Sequence, residues 1–219
     1  MSIIDRKTVT CSVCGHKQTV RYARSLFGAG SPELDGKPPW LLRSSMPVWV
    51  HKCHRCGFAA YCLEGGDRSL RMFIVSPAYV FCEGKPLLFP LAVKFYQQGI
   101  LALRQGETLS AYHAFLHAAW ACDDRHNLPG AVSCRRKAAA LYSGLEKEAQ
   151  NNSRLLLTQV DLLRRTGQFS AALQLLDAEE IEEERLLPYV RFERTLISQK
   201  DRKGHSTRDV ELEKRNAVE

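Results

Sequence analysis

The sequence predicts an α+β chain, a small β module at the N-terminus followed by an all-helical domain, and three observations carry that expectation. Cys11-Ser12-Val13-Cys14-Gly15 and Cys53-His54-Arg55-Cys56-Gly57 repeat one C-x-x-C-G turn inside strand-forming sequence. From Leu91 glycine and proline become sparse, and apolar residues recur at helical spacing through Ile197. A glycine-centred helix-turn pattern then occurs twice in that second part.

Taken in order, Thr8-Val9-Thr10 leads into the first turn and Gln18-Thr19-Val20-Arg21-Tyr22 leads out, β-branched and aromatic residues that suit a pleated surface. The second turn has Val48-Trp49-Val50 before it and Phe58-Ala59-Ala60-Tyr61 after it. Between the two, Gly28, Gly30 and Gly36 with Pro32, Pro38, Pro39 and Pro47 describe a long ordered loop rather than a strand. The expected organisation is a β module over 1–64 with the loop 26–47 inserted, a connector over 65–90, a helical domain over 91–199 and a charged, solvated tail over 200–219.

Together the two turns supply four thiolates, Cys11, Cys14, Cys53 and Cys56, the complete ligand set of a closed tetrahedral metal site. Such a site leaves no open position for water or substrate, so it predicts architecture rather than activity. Bringing the halves together across the 38 residues between Cys14 and Cys53 costs roughly 3 kcal/mol of loop entropy. Structural zinc returns about 10–16 kcal/mol of apparent binding energy, so the metal wins. Two strand-turn-strand units on one metal make a zinc ribbon. Zinc is the expected ion and iron the alternative, because paired knuckles of this kind also build rubredoxin-type sites.

The start of the chain, MSIIDRKTVT, lacks an apolar secretory region. The longest apolar stretches, such as Leu87 to Val93, are too short to cross a bilayer. A cytoplasmic protein with reduced thiols is therefore expected, without membrane contact. Of the remaining cysteines, Cys62 is the candidate substitute ligand, Cys122 and Cys134 read as small buried apolar residues, and Cys82 has no ligand spacing.

In the helical part, Leu103-Arg104-Gln105-Gly106-Glu107-Thr108-Leu109-Ser110-Ala111 matches Leu163-Arg164-Arg165-Thr166-Gly167-Gln168-Phe169-Ser170-Ala171, the glycine displaced by one residue. Each reads as a helix ending at glycine, a short turn and a second helix. The second copy, with Leu162, Leu163, Gly167, Phe169, Ala172, Leu175 and Leu176, resembles a tetratricopeptide unit. The period is not the regular 34 residues of that repeat, so a short, irregular stack of helical hairpins is expected.

Several landmarks extend the resemblance: the two knuckles, Ser31-Pro32-Glu33-Leu34-Asp35 through Arg43-Ser44-Ser45-Met46, Trp49, His117-Ala118-Ala119-Trp120-Ala121-Cys122-Asp123-Asp124, and Asp161 through Gly167. With these the chain resembles a bacterial family classed as a domain of unknown function, in which split C-x-x-C knuckles precede tetratricopeptide-like helices. The resemblance covers most of the chain and implies a bacterial cytoplasmic protein. That family usually places Pro after the first Cys of each knuckle, where this sequence has Ser12 and His54.

The net charge of +7 is uneven, with 12 Lys and Arg against 6 Asp and Glu through Pro90. Lys17, Arg21, Arg24, Arg43 and Arg55 are candidate contacts for nucleic acid or another polyanion, with Tyr22, Trp40 and Trp49 for stacking; a solvated surface explains the same charges. His113 and His117, four apart, and Asp124, seven further on, share a helix face and are the candidate second metal or acid-base site. Packed helical histidines are the plainer explanation, because H-x-x-x-H lacks the catalytic Glu of H-E-x-x-H. His16 and His54 could substitute at the metal, Asp201 and His205 could hydrogen-bond, Asp123-Asp124 could form a helix-ending turn, and Glu179 to Glu184 reads as a solvated acidic face.

No nucleotide-binding or hydrolase motif is present, so no catalytic residue is assigned. The leading expectation is a zinc-binding interaction or adaptor protein whose helical hairpins recognise a protein or peptide. The alternative is nucleic-acid binding through the basic ribbon, and a metalloenzyme using the His113, His117 and Asp124 face comes third.

Overall fold

The structure, a computed structural model, describes residues 3–80, 89–145, 152–178 and 181–216. Strands β1 (Ile3–Thr10) and β2 (Lys17–Ser25) form an antiparallel hairpin whose turn is the first C-x-x-C-G, and β3 (His51–Lys52) and β4 (Ala59–Ala60) form a shorter one around the second. The turns share one hydrogen-bond pattern. Cys11 N–H donates to His16 O at 2.9 Å and Gly15 N–H to Cys11 O at 2.7 Å, while Cys53 N–H donates to Phe58 O at 2.7 Å and Gly57 N–H to Cys53 O at 2.9 Å. Val48, expected in a strand, instead ends a 3₁₀ turn, Met46–Val48, because Pro47 has no N–H for a ladder.

Alternation along β1 and β2 turns Val9, Gln18 and Val20 inward and leaves Arg6, Lys17 and Arg21 in solvent. Val9 and Val20 join Phe58, Ala60 and Leu63 in a small core completed by Leu70, Ile74, Tyr79 and Leu101. The inserted loop is ordered and contains one short helix, α1 (Trp40–Arg43). After β4 come a 3₁₀ turn, Arg68–Arg71, and α2 (Pro77–Val80). Tyr79 hydroxyl accepts from Ala59 N–H and donates to Gly57 O, both at 2.9 Å, tying α2 to the second knuckle. Cys82 and the rest of the connector up to residue 88 lie outside the described residues.

Among the described residues the remaining helices are α3 (Pro90–Arg104), α4 (Thr108–Asp123), α5 (Leu128–Ala139), α6 (Ser153–Arg165), α7 (Phe169–Ala178), α8 (Leu187–Ser198) and α9 (Thr207–Asn216). Each packs on the next from α3 to α9, and α6 also packs on α8. The main core lies where α3, α4 and α5 meet, around Phe95, Tyr96, Tyr112, Phe115 and Leu116.

Four of these helices end in the same way. Glu107 N–H reaches Ala102 O at 2.9 Å, Asn127 N–H reaches Cys122 O at 3.0 Å, Gln168 N–H reaches Leu163 O at 2.8 Å and Asp201 N–H reaches Leu196 O at 2.9 Å. This is the six-residue closure of a Schellman motif, and the residue before each donor is left-handed. It is Gly106 and Gly167 in two cases, but His126 and Lys200, both at φ 55°, in the others. The glycine copies were legible in the sequence, and the other two were not, because their cap residue carries a side chain.

Residues 207–216, expected as a solvated tail, form α9 instead. Its Val210 is buried with Phe192 and Leu196 of α8, and Leu34 of the inserted loop packs on the same cluster. Backbone hydrogen bonds to the inserted loop help to dock it: Thr207 N–H donates to Pro32 O at 2.8 Å and Leu34 N–H to His205 O at 2.9 Å. Among the described residues no helix is long and apolar enough to cross a membrane.

Candidate metal centre

Because each knuckle turn aims both of its cysteines to one side, the two hairpins bring Cys11, Cys14, Cys53 and Cys56 together, with all four sulfurs within 4.8 Å of one another. Cys11 Sγ lies 3.8 Å from Cys56 Sγ, and Cys14 Sγ lies 3.6 Å from Cys53 Sγ. A tetrahedron with Zn–S bonds of about 2.3 Å has sulfurs about 3.8 Å apart, so the donor set fits a four-thiolate ion. Burial pushes the Cys11 and Cys56 thiols above their ordinary range. At Cys14 burial is outweighed by hydrogen bonds from the His16 backbone and the neighbouring thiols, and the pKa falls. Four thiolates cannot share so small a volume without a cation to hold them.

Ser12 and His54, the residues after the first Cys of each knuckle, each use their backbone N–H. Ser12 N–H donates to Leu63 O at 3.0 Å, and its hydroxyl donates to the same oxygen at 3.0 Å while accepting from Gly66 N–H at 2.9 Å. His54 N–H donates to Gln18 Oε1 at 2.9 Å, and Gln18 Nε2 donates to Lys52 O at 3.1 Å, so Gln18 of the first hairpin clamps the second. Proline could donate at neither position. His16, His54 and Cys62 are not among the residues gathered at the four sulfurs, and Cys62 is exposed. Cys122 and Cys134 are buried in α4 and α5.

A second concentration of chemistry joins the inserted loop to the helices. Arg135 of α5, fully buried, grips Asp123 at the end of α4 with two hydrogen bonds, 3.1 and 2.6 Å, and reaches Asp35 of the loop at 2.8 Å. Arg165 of α6 reaches Glu33 at 2.8 Å, Asp35 at 3.1 Å and Asp123 at 3.2 Å. Lys37 lies 3.5, 3.4 and 3.3 Å from Glu33, Asp123 and Asp124, and Arg43 Nε lies 2.8 Å from Asp124. Glu33, Asp35, Asp123 and Asp124 thus face four cations, and Asp161 of α6 lies 3.9 Å from Arg165 as well. Burial opposes ionisation of Asp35, but Arg135 and Arg165 outweigh it and hold the carboxyl down at about 2. Asp123 is lowered too, its burial overcome by the same guanidinium and its neighbours. Next to this seam Arg164, fully buried, pairs with Asp161 and with Glu193 at 2.8 Å, and donates to Asp201 O and Lys203 O.

Two sequence expectations change accordingly. Arg43, proposed as a polyanion contact, is committed to Asp124 and to Pro38 O at 3.1 Å; Trp49, proposed for stacking, packs edge-on against His117 and donates to Ser45 Oγ at 2.9 Å. The second candidate site does not assemble, because Asp124 turns to Lys37 and Arg43. His113 and His117 do stack, with centroids 6.4 Å apart. His117 Nδ1 is bound to Tyr61 hydroxyl at 2.8 Å, and burial, then His113, lowers its pKa to about 3, so it is a neutral packed ring. Among the described residues the four cysteines are the one group that could hold a metal ion.

His205 and Asp201 do hydrogen-bond, at 3.1 Å. Of the acidic cluster, residues 179–180 lie outside the described residues, while Glu183 pairs with Arg185 at 2.6 Å. The sequence reading missed Arg135 as a network centre, although a signal was present: it sits on the face of α5 that buries Ala131 and Ala138, four residues after the one and three before the other, where an arginine needs partners.

Fold and site together define a β module with four clustered cysteines able to hold a metal ion, followed by packed helices. No family model, curated protein or solved structure matches the chain.

Proposed function

We propose that this chain is a zinc-stabilised interaction protein whose binding surface is the face of the ribbon, and that the partner is polyanionic. The observation that carries this reading is the solvent face of the first hairpin, where Arg6 stands directly opposite Arg21 across the ladder and Lys17 lies opposite Thr10. Like charges facing each other across strands are destabilising, and an anionic partner removes that repulsion. Arg24 at the end of β2 and Arg55 in the second knuckle are exposed as well.

A peptide lying in the helical stack would have to share α4 with the chain's own segment. Trp49 and Tyr61 cover His117, and Lys37 reaches Asp123 at the end of the same helix. That favours the ribbon over the helical groove as the place of contact. Zinc is the ion favoured at the four sulfurs, since a closed thiolate tetrahedron is its ordinary structural site, and its role is to hold the charged face in shape.

Retention of the zinc-loaded protein on immobilised heparin tests the reading. The wild type should elute at clearly higher salt than a variant carrying Arg6→Gln and Arg21→Gln; passage of the wild type through the column at low salt would overturn it, and would leave these charges as protection of an open sheet edge.

A further inference from the structure

Beside the charged face is a cleft of about 460 Å³ between β2, β3 and α3. Its walls carry Arg21, His51, Lys52, His54 and Lys94, and no carboxylate among the described residues lines it. Elsewhere the chain pairs its buried cations: Lys37, Arg135, Arg164 and Arg165 all have carboxylate partners within 3.5 Å. Among the described residues neither Arg21 nor half-buried Lys94 has one. Burial, then Lys52 and Arg21, lowers the Lys94 pKa, so the cluster is held together against its own repulsion. Lys52 precedes Cys53 and is placed to offset the net negative charge of four thiolates around a divalent ion. Arg21 and Lys94 come from β2 and α3, outside the knuckle.

A second cleft, of about 580 Å³, adjoins the first and shares Arg21, Pro47 and Val48 with it. Its character is different: Ile4, Phe27 and Leu41 line it, with Phe27 66% and Leu41 55% exposed. A strip that is cationic at one end and apolar with an exposed aromatic ring at the other matches a ligand whose anionic groups alternate with flat apolar ones. Single-stranded nucleic acid has that alternation, phosphates for the cations and bases for the ring.

Building on the reading of the ribbon face as the binding surface, we propose that the cleft of Arg21, Lys52 and Lys94 is a phosphodiester site for single-stranded nucleic acid, with a base lodged against Phe27 and Leu41. Lys94 then joins the ribbon residues in binding, so the helical domain contributes to the same site.

The test is fluorescence anisotropy of the full-length, zinc-loaded protein with a labelled oligothymidylate across a salt series. Arg21→Gln with Lys94→Gln should weaken binding at least tenfold, each change lowering the slope of log affinity against log salt by about one. Arg21→Lys with Lys94→Arg should retain it, which separates charge from folding, and zinc content of every variant is checked in parallel. Phe27→Ala should weaken binding without changing the slope. Oligothymidylate binding that the Gln pair leaves intact would overturn the site. Retention on heparin with no oligothymidylate binding would overturn this inference and leave the broader reading standing, whereas failure of both would remove both. Competition by inorganic phosphate as strong as by the oligonucleotide would show a free-phosphate site and overturn the strand.

Discussion

Arg135 Nη2 donates to Asp35 Oδ2 at 2.8 Å across one hundred residues of chain, and both side chains are buried. The pair fixes the inserted loop of the ribbon onto the helical stack, with Asp123 and Arg165 completing the clamp. Breaking a buried pair from one side leaves an uncompensated charge, which costs about 3–5 kcal/mol. Asp35→Ala and Arg135→Met should each lower stability by that order in urea denaturation; a loss below about 1 kcal/mol would mean that the seam behaves like a surface salt bridge.

Acid should release the same seam. Asp35 has its folded pKa lowered to about 2, against about 3.9 when unfolded, so the unfolded chain binds the proton first. Its stabilisation is therefore complete above pH about 4 and is lost as pH falls toward about 2, amounting to about 2–3 kcal/mol. Asp123, lowered by the same guanidinium, acts in the same direction. Denaturation midpoints followed from pH 5 downward should fall steeply in the wild type and less steeply in Asp35→Asn.

The left-handed caps predict opposite effects from glycine substitutions. His126 and Lys200 are exposed and hold φ 55°, a conformation that strains any residue with a Cβ. His126→Gly and Lys200→Gly should each stabilise by up to about 1 kcal/mol, whereas Gly106→Ala and Gly167→Ala should destabilise by about 1 kcal/mol or more. Thermal melting distinguishes these, and equal signs for the two sets would contradict the shared cap geometry.

Removing the metal should unfold the ribbon. A structural site returns about 10–16 kcal/mol, comparable with the whole stability of a domain at about 5–15 kcal/mol. Elemental analysis should find one zinc per chain, lost in Cys11→Ser, Cys14→Ser, Cys53→Ser or Cys56→Ser and retained in Cys62→Ser. Full zinc and unchanged melting in any of the four would exclude that cysteine as a ligand, and one iron in place of zinc would redirect the site to electron transfer.

The clustering of the four cysteines was legible in the sequence because its determinants are local: two C-x-x-C-G turns each preset the direction of a pair of thiols. The same holds for the succession of a β module and helices, and for the hairpin turns at Gly106 and Gly167, where one residue type reports one backbone conformation. Asp35, Asp123, Arg135 and Arg165 are distant in sequence, and a charge by itself carries no information about its partner. Only the packing of α4, α5 and α6 against the inserted loop made them one network, which drew Arg43 and Asp124 out of the sites first expected for them. The cleft that Lys94 shares with Arg21 and Lys52 was equally hidden. It arises where α3 meets the ribbon, since long-range burial, unlike turn chemistry, is decided by the fold as a whole.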